Sequence, residues 1–151
     1  MALTVPTLDN LTLDLTEEIH VRASLDATFE SLLEQLGPAN EGAQGVPMPM
    51  VLEARPGGRW FRDLGGDNGH FWGVVQAIRR PALLEITGPL FMSMPVISNV
   101  QYRLKEVPGG TLISFRHSAL GFIPDDMRSG LTQGWTSIHA RVRRQVEGEK
   151  R

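Results

Sequence analysis

Cysteine is absent from the 151-residue sequence, which excludes a disulfide framework, a thiolate zinc site and a cysteine nucleophile. A chain without cysteine suits a reducing compartment, and we expect a cytoplasmic location. Excess charge of one sign is lacking too, because the formal net charge is -2. Such a chain has no general attraction to nucleic acid or to an anionic membrane surface, so we expect no nucleic-acid partner.

Long hydrophobic runs are also missing. No apolar stretch approaches the roughly 20 residues that span a bilayer, so we expect no membrane insertion. Residues 1–10 have neither the basic start nor the apolar run of a signal peptide, and we expect them to form an N-terminal extension. With 41% hydrophobic and 21% charged residues, the chain has the composition of one globular domain.

The first regular elements are predicted between residues 11 and 38. Apolar and polar residues alternate over 11–23, which predicts a half-buried strand that bends at the Glu17–Glu18 pair. Ser24 then has the position of a helix N-cap, and apolar side chains recur at helical spacing over 29–36. Gly37–Pro38 ends this helix, and a polar loop with room for one more helical turn follows.

Short apolar segments separated by Gly- and Pro-rich turns dominate the middle of the chain. Each segment is short enough for a strand, and the turns favour hairpins. The sequence predicts strands over Met48–Ala54, Arg59–Leu64, His70–Ile78, Leu83–Thr87, Ile97–Val107 and Thr111–Ala119.

The C-terminal part changes to helical periodicity. Its apolar stripe consists of Leu131, Trp135, Ile138, Val142 and Val146, and the helix is expected to begin near Pro124–Asp125. The order of elements predicts an α+β fold in which a curved antiparallel sheet of about seven strands wraps around this long helix. One or two short helices follow the first strand. The domain is expected to span residues 11–147, with a frayed tail at 148–151.

Four stretches of the sequence resemble the START-like (SRPBCC) superfamily, and within it the AHSA-type domains related to the activator of heat-shock-protein ATPase. They are the strand–helix segment Ile19–Leu33, the hairpin EARPGGRWF at Glu53–Phe61, the two-strand segment Gly73–Thr87, and Gly134–Trp135 with the helix that follows. The resemblance implies a helix-grip fold with a cavity between the sheet and the C-terminal helix. Members of the wider superfamily bind lipids, hormones or polyketides there, and some catalyse cyclisation or hydrolysis. The resemblance supplies no universal catalytic motif.

Histidine is the residue type in this chain that is best suited to metal binding or acid/base catalysis. No pair among the four histidines has a metal-ligand spacing, so we expect no metal and no cofactor. His117 shares strand parity with Ile113 and Phe115 and is the candidate acid/base or polar anchor facing the cavity. The alternative, which we favour, is a core histidine that bonds to backbone. His139 could join His117 across the cavity, although a buried edge position in contact with water is favoured.

Other chemical groups give weaker signals. No GxSxG motif is present, and Ser114 and Ser118 are out of phase with the apolar face of their strand. The pairs Glu17–Glu18 and Asp125–Asp126 are expected to be solvated, which leaves Glu53 and Glu85 as the strand carboxylates with some prospect of burial. The basic cluster Arg141, Arg143 and Arg144 is expected to form a solvated face.

The apolar side chains favour ligand binding as a group. Methionine and tryptophan offer the adaptable, wide surface that suits a pocket for varied ligands. The candidate ligand-binding residues are Met50, Trp60, Trp72, Phe91, Met94, Tyr102, Phe115, His117, Trp135, Ile138 and His139.

Three functions remain open at this stage. The first is non-enzymatic binding of a hydrophobic small molecule or lipid. The second is a polyketide cyclase or hydrolase-type enzyme that uses His117 as acid/base. The third is a protein-interaction domain linked to a chaperone. A homodimer is left open.

Overall fold

Alternating side chains and tight turns build most of the chain into one antiparallel sheet. The computed structural model describes residues 7–148. Its strands are β1 (Thr12–Val21), β2 (Val51–Leu52), β3 (Arg59–Gly65), β4 (Asn68–Arg79), β5 (Leu83–Gly88), β6 (Val96–Val107) and β7 (Gly110–Gly121). The helices are α1 (Leu25–Leu36) and α2 (Asp125–Glu147), with short 3-10 turns at Leu8–Leu11 and Ala43–Gly45.

The sheet has the strand order β1-β7-β6-β5-β4-β3-β2, with every neighbouring pair antiparallel. The chain therefore runs as a meander from β2 to β7, and β1 closes the sheet beside β7. Trp135 and Val142 of α2 belong to the same buried cluster as the inward side chains of the strands. This arrangement confirms the helix-grip fold and the α+β class.

Helix α1 begins and ends where its sequence predicts. The Ser24 side chain accepts a hydrogen bond from the backbone N–H of Ala27 at 3.1 Å, as an N-cap does. The helix ends at Gly37, whose N–H bonds to the carbonyl of Glu34. Helix α2 begins after Pro124, with Asp125 in its first turn.

Strand β1 is continuous, and the bend predicted at Glu17–Glu18 is wrong. Its ten residues pair with β7 in a single register without interruption. Glu17 has the parity of Leu15 and Ile19, so its side chain stays on the inner face of the sheet. The strand needs no bend because the carboxylate finds hydrogen-bond donors there, as described below.

Strand β2 is much shorter than the predicted Met48–Ala54. The N–H groups of Met48 and Met50 donate to the carbonyls of Asn40 and Gly37, at 2.9 and 3.0 Å. These bonds tie Met48 and Met50 to the end of α1 and the loop that follows it, so the N–H groups of these two residues do not extend the ladder with β3.

Two groups of buried side chains form the core of residues 7–148. The larger one lies between the sheet and the two helices, and the smaller one centres on Met92, Ala119 and Ile123. No helix among the described residues is both long and apolar enough to cross a membrane. Most of the predicted extension 1–10 lies outside the described residues, as does the end of the predicted frayed tail at 149–151.

Candidate ligand-binding groove

An open groove of about 810 Å³ runs along the side of α2. Its walls are α2 itself, the loop between α1 and β2, and two aromatic side chains from β4 and the β5–β6 connection. The lining residues are Asn40, Glu41, Gly42, Ala43, Gln44, Gly45, Met48, Trp72, Phe91, Asp126, Met127, Gly130, Leu131, Gln133, Gly134, Trp135, Ser137, Ile138 and Arg141. Apolar residues and glycines outnumber the charged residues in this set, and the volume is within the range of small-molecule sites.

Two glycines in α2 keep the groove wide. Gly130 and Gly134 are one helical turn apart, and both line the groove. A methyl group added at either position would have no neighbouring atom within 4 Å among the described residues outside the helix backbone. Leu131 and Trp135, the residues that follow them, are buried in the core. The helix therefore packs into the core through Leu131 and Trp135 and leaves open space beside Gly130 and Gly134.

The aromatic wall of the groove is formed by Trp72 and Phe91, and edge-on ring contacts and a hydrogen bond fix its position. Trp72 packs edge-on against Trp60, with ring centroids 5.0 Å apart, and against Phe91 at 5.8 Å. The indole N–H of Trp72 donates to Nδ1 of His70 at 2.9 Å. Nε2 of His70 lies 3.2 Å from the hydroxyl of Ser93. These contacts fix the orientation of the Trp72 ring beside the groove.

The predicted ligand-binding residues divide into two sets. Four of them line the groove: Trp72, Phe91, Trp135 and Ile138. The other seven do not line it, and all but Met94 are buried: Met50, Trp60, Met94, Tyr102, Phe115, His117 and His139. The buried ones belong to the core between the sheet and the two helices. The open volume therefore lies at the margin of the helix.

His117 is completely buried and is bonded at both ring nitrogens. Its Nδ1 accepts the indole N–H of Trp135 at 3.0 Å, and its Nε2 lies 2.9 Å from the hydroxyl of Ser98. Because an indole N–H can only donate, the ring proton of neutral His117 is on Nε2 and is donated to Ser98. Burial lowers the pKa of His117 to about 4, so the ring is neutral near pH 7. Its partners are side chains, whereas the favoured interpretation expected backbone.

His139 is also buried, and water contact at a buried edge, favoured from the sequence, is wrong. The hydroxyl of Tyr102 lies 2.9 Å from its Nε2, and Glu17 Oε1 lies 2.6 Å from its Nδ1. Burial lowers the pKa of His139, although the Glu17 carboxylate opposes this change. Burial also raises the pKa of Tyr102 well above its usual value. The neutral ring therefore accepts from Tyr102 and donates to Glu17, which ties α2 to β6 and β1.

Two residues of these networks were missed in the sequence. Glu17 is expected to be solvated with its neighbour, and Ser98 falls within the predicted strand Ile97–Val107 without an expected role. Strand parity could have found both, because Glu17 is in phase with Leu15 and Ser98 is in phase with Val100 on inward faces.

The predicted basic cluster on α2 is split by the fold. Arg143 and Arg144 are exposed, as expected. Arg141 is different, because its side chain is only 10% exposed and lines the groove. Its Nε donates to the side-chain oxygen of Gln35 on α1 at 3.1 Å. Its Nη2 is buried and has no hydrogen-bond partner among residues 7–148.

The two strand carboxylates with some prospect of burial are half-buried and bonded. Glu53 accepts three hydrogen bonds from Arg59, two from its side chain and one from its backbone N–H, and these lower the pKa of Glu53 to about 2. Glu85 accepts from the side chains of Asn99 and Gln101. Within residues 7–148, no group of three or more histidine and carboxylate side chains is placed to hold a metal ion.

Comparison with known proteins assigns the chain to a family. A family model described as "Activator of Hsp90 ATPase homolog 1-like protein" matches residues 45–147. No curated protein matches the chain.

Solved structures share the fold at low sequence identity. An uncharacterised protein from Rhizobium leguminosarum is 19% identical with a TM-score of 0.68, covering 91% of this chain and 96% of that one. Ara h 8.0201 is 13% identical with a TM-score of 0.68, covering 91% and 99%. StfQ, a di-domain ARO/CYC protein from the steffimycin biosynthetic pathway, is 12% identical with a TM-score of 0.65, covering 93% of this chain and 53% of StfQ.

Proposed function

Since the chain belongs to the Activator of Hsp90 ATPase homolog 1-like family of START-like (SRPBCC) domains, we propose that it binds an apolar small molecule or lipid in the groove beside α2. The observation that carries the proposal is the groove itself. It offers about 810 Å³, and apolar side chains and glycines make up most of its lining residues. A cytoplasmic location and a role without catalysis are parts of the same proposal.

Apolar burial would supply most of the affinity. Removing apolar surface from water contributes about 25 cal/mol per Å², and aromatic walls provide wide surface for this. Trp72 and Trp135 are held by hydrogen bonds to histidines, so little side-chain entropy is lost when a ligand packs against them.

The cyclase or hydrolase alternative with His117 as acid/base remains a prediction. The geometry gives it less support than binding, because His117 does not line the groove and both of its nitrogens are bonded. A candidate acid or base has to come within hydrogen-bond reach of the substrate.

The chaperone-linked alternative has one observation in its favour. Across the outer face of β2, β3 and β4, Val51 pairs with Phe61, which pairs with Phe71. Val51 and Phe71 are exposed, as is Val74 nearby. Exposed apolar side chains that cluster on one face are a feature of protein-interaction sites. Loss of binding to a candidate chaperone in Phe71→Ser, with small-molecule binding intact, would favour this alternative.

The test of the proposed function is to fill the groove without disturbing the core. Gly134→Leu places a side chain in open space beside the helix. Thr132→Leu is the matched control, because Thr132 is exposed on the same helix and does not line the groove. The neutral dye N-phenyl-1-naphthylamine is titrated into each protein, with dye fluorescence and a thermal melt as readouts.

We expect the wild-type protein and Thr132→Leu to bind the dye at one site and Gly134→Leu to lose at least tenfold in affinity. Native mass spectrometry of the protein from its own host then identifies the natural ligand. Equal dye binding by Gly134→Leu and the wild type, or no binding by the wild type together with no co-purifying ligand, would contradict the proposal.

A further inference from the structure

We propose that the ligand of the groove is an apolar molecule with a carboxylate group, and that the carboxylate binds the guanidinium of Arg141. This inference rests on the proposed function and narrows the class of ligand. In this proposal, one end of the groove binds the carboxylate and the apolar walls bind the rest of the ligand.

The first argument is the unpaired donor on Arg141. A guanidinium carries five N–H donors and no acceptor, and it stays charged at any physiological pH. Nη2 of Arg141 is buried and lacks a hydrogen-bond partner among residues 7–148, while the residue lines the groove. A buried polar group without a partner is costly, and the cost is larger for a charged group. A ligand acceptor in the groove would remove this cost once the guanidinium turns enough to bring Nη2 to the groove.

The second argument is that the guanidinium is held in place from behind. The side-chain oxygen of Gln35 accepts from Nε of Arg141, and the amide nitrogen of Gln35 donates to Gln145 at 3.1 Å. Ser31 donates to the same Gln145 oxygen at 2.6 Å. Since Nε is occupied by this network between α1 and α2, the Nη groups are the part of the planar fork left to meet a carboxylate.

The third argument is the distribution of charge along the groove. The lining carboxylates are Glu41, which lies beside Arg141, and Asp126. Arg141 is the only positively charged side chain among the lining residues, and Asp126 lies at the opposite end. The two positions are about 22 Å apart along the helix, from the 1.5 Å rise per residue. A carboxylate is therefore attracted to the Arg141 end, and the apolar body would extend past Gly134 toward Met127.

One carboxylate of the protein already lies near this site. Glu41 Oε1 is 3.9 Å from Nε of Arg141, which is too long for a hydrogen bond, and the Glu41 side chain is 38% exposed. Such a loose, partly solvated pair contributes little to stability. A ligand carboxylate has to be placed beside this negative charge, so Glu41 is expected to weaken its binding.

The test compares two compounds that differ only in their polar end. Decanoate and 1-decanol are titrated by calorimetry at pH 7.5 into the wild-type protein and into Arg141→Gln. We expect the wild type to bind decanoate at least tenfold more tightly than 1-decanol, because a charged hydrogen bond forms only with the carboxylate. In Arg141→Gln the ratio of the two affinities is expected to fall toward one. Arg144→Gln, which removes an exposed arginine outside the groove, keeps the preference.

A second variant is expected to strengthen decanoate binding, and it leaves Arg141 in place. Glu41→Gln removes the competing negative charge, so the ratio of decanoate affinity to 1-decanol affinity should rise severalfold. Equal affinity of the wild type for the two compounds, with binding of both lost in Gly134→Leu, would overturn this inference and leave the proposed function standing. Binding of neither compound, together with no binding of the neutral dye, would overturn both.

Discussion

The indole N–H of Trp135 donates to Nδ1 of His117 at 3.0 Å, and the same tryptophan lines the groove. Trp72, on the other wall, has the same relationship with His70 at 2.9 Å. In both cases the second ring nitrogen of the histidine lies beside a serine hydroxyl. The histidines therefore act as supports that fix the walls of the groove, and His117 does so from within the core.

The Trp135–His117 hydrogen bond can be tested by removing its donor. Trp135→Phe keeps an aromatic ring and leaves Nδ1 of His117 buried without a partner. We expect the free energy of unfolding to fall by about 1–3 kcal/mol from the unsatisfied acceptor, and further from the smaller ring. Urea unfolding of Trp135→Phe, His117→Leu and the double variant measures the coupling between the two side chains. A coupling energy near zero would mean that this hydrogen bond adds nothing to stability.

The lowered pKa of His117 predicts that stability depends on pH. The pKa is about 4 in the folded protein and 6.5 for an ordinary histidine. Between these values the unfolded chain binds a proton that the native ring does not bind, so stability falls as the pH falls from 6.5 to about 4. The size of this effect is on the order of 3 kcal/mol for a shift of this magnitude.

His117→Gln removes this proton linkage. Urea unfolding at pH 7 and at about pH 5 should show a smaller loss of stability in His117→Gln than in the wild type. The His139–Glu17 pair is present in both proteins, so its contribution cancels in the comparison. His20→Gln is the control, because His20 is exposed, and it should behave as the wild type does. Parallel loss of stability in wild type and His117→Gln would contradict the assignment.

The fold was predictable because local and long-range signals agree in this chain. Turn glycines, strand parity and the stripe from Leu131 to Val142 identify the hairpins, the strands and the long helix, and wrapping the sheet around the helix buries the apolar faces of both. The groove was not predictable to the same degree. Whether the helix-grip interior stays open depends on how large side chains such as Tyr102 and Phe115 pack, and periodicity does not describe their volumes.

Arg141 shows a second limit of the sequence. Its two neighbours in the basic cluster, Arg143 and Arg144, are solvated, and composition gives all three the same expectation. The difference arises from α1, which brings Gln35 to within 3.1 Å of the Arg141 Nε. A contact between residues so far apart in sequence depends on how the two helices pack, which a single sequence does not specify.

The Arg59–Glu53 contact in the β2–β3 hairpin predicts an unusually acidic carboxyl group. Hydrogen bonds from the side chain and then the backbone of Arg59 lower the pKa of Glu53 to about 2. The lowered pKa means that this pair stabilises the hairpin above the ordinary glutamate pKa of 4.5, and that the contribution is lost as the pH falls from 4.5 to about 2.

Carboxyl-carbon NMR at about pH 3.5 should find Glu53 largely ionised in the wild type and largely protonated in Arg59→Gln. Arg62→Gln is the matched control, because Arg62 donates to the carbonyl of Pro49 and has no contact with Glu53. A protonated Glu53 in the wild type at this pH would show that the hydrogen bonds to Arg59 do not persist in solution.

Replacing the two glycines beside the groove is predicted to raise stability and to lower ligand affinity. Glycine inside a helix is less favourable than alanine by about 0.5–1 kcal/mol, and a methyl group at Gly130 or Gly134 meets no neighbour. Gly130→Ala combined with Gly134→Ala should therefore raise the free energy of unfolding by about 1–2 kcal/mol. The same methyl groups extend into the groove, so affinity for the neutral dye should fall severalfold. Thr132→Ala also improves helix propensity but lies outside the groove, and it should raise stability without changing dye affinity. If the double alanine variant gains stability and binds the dye as the wild type does, the dye binds elsewhere and the two glycines do not make room for it.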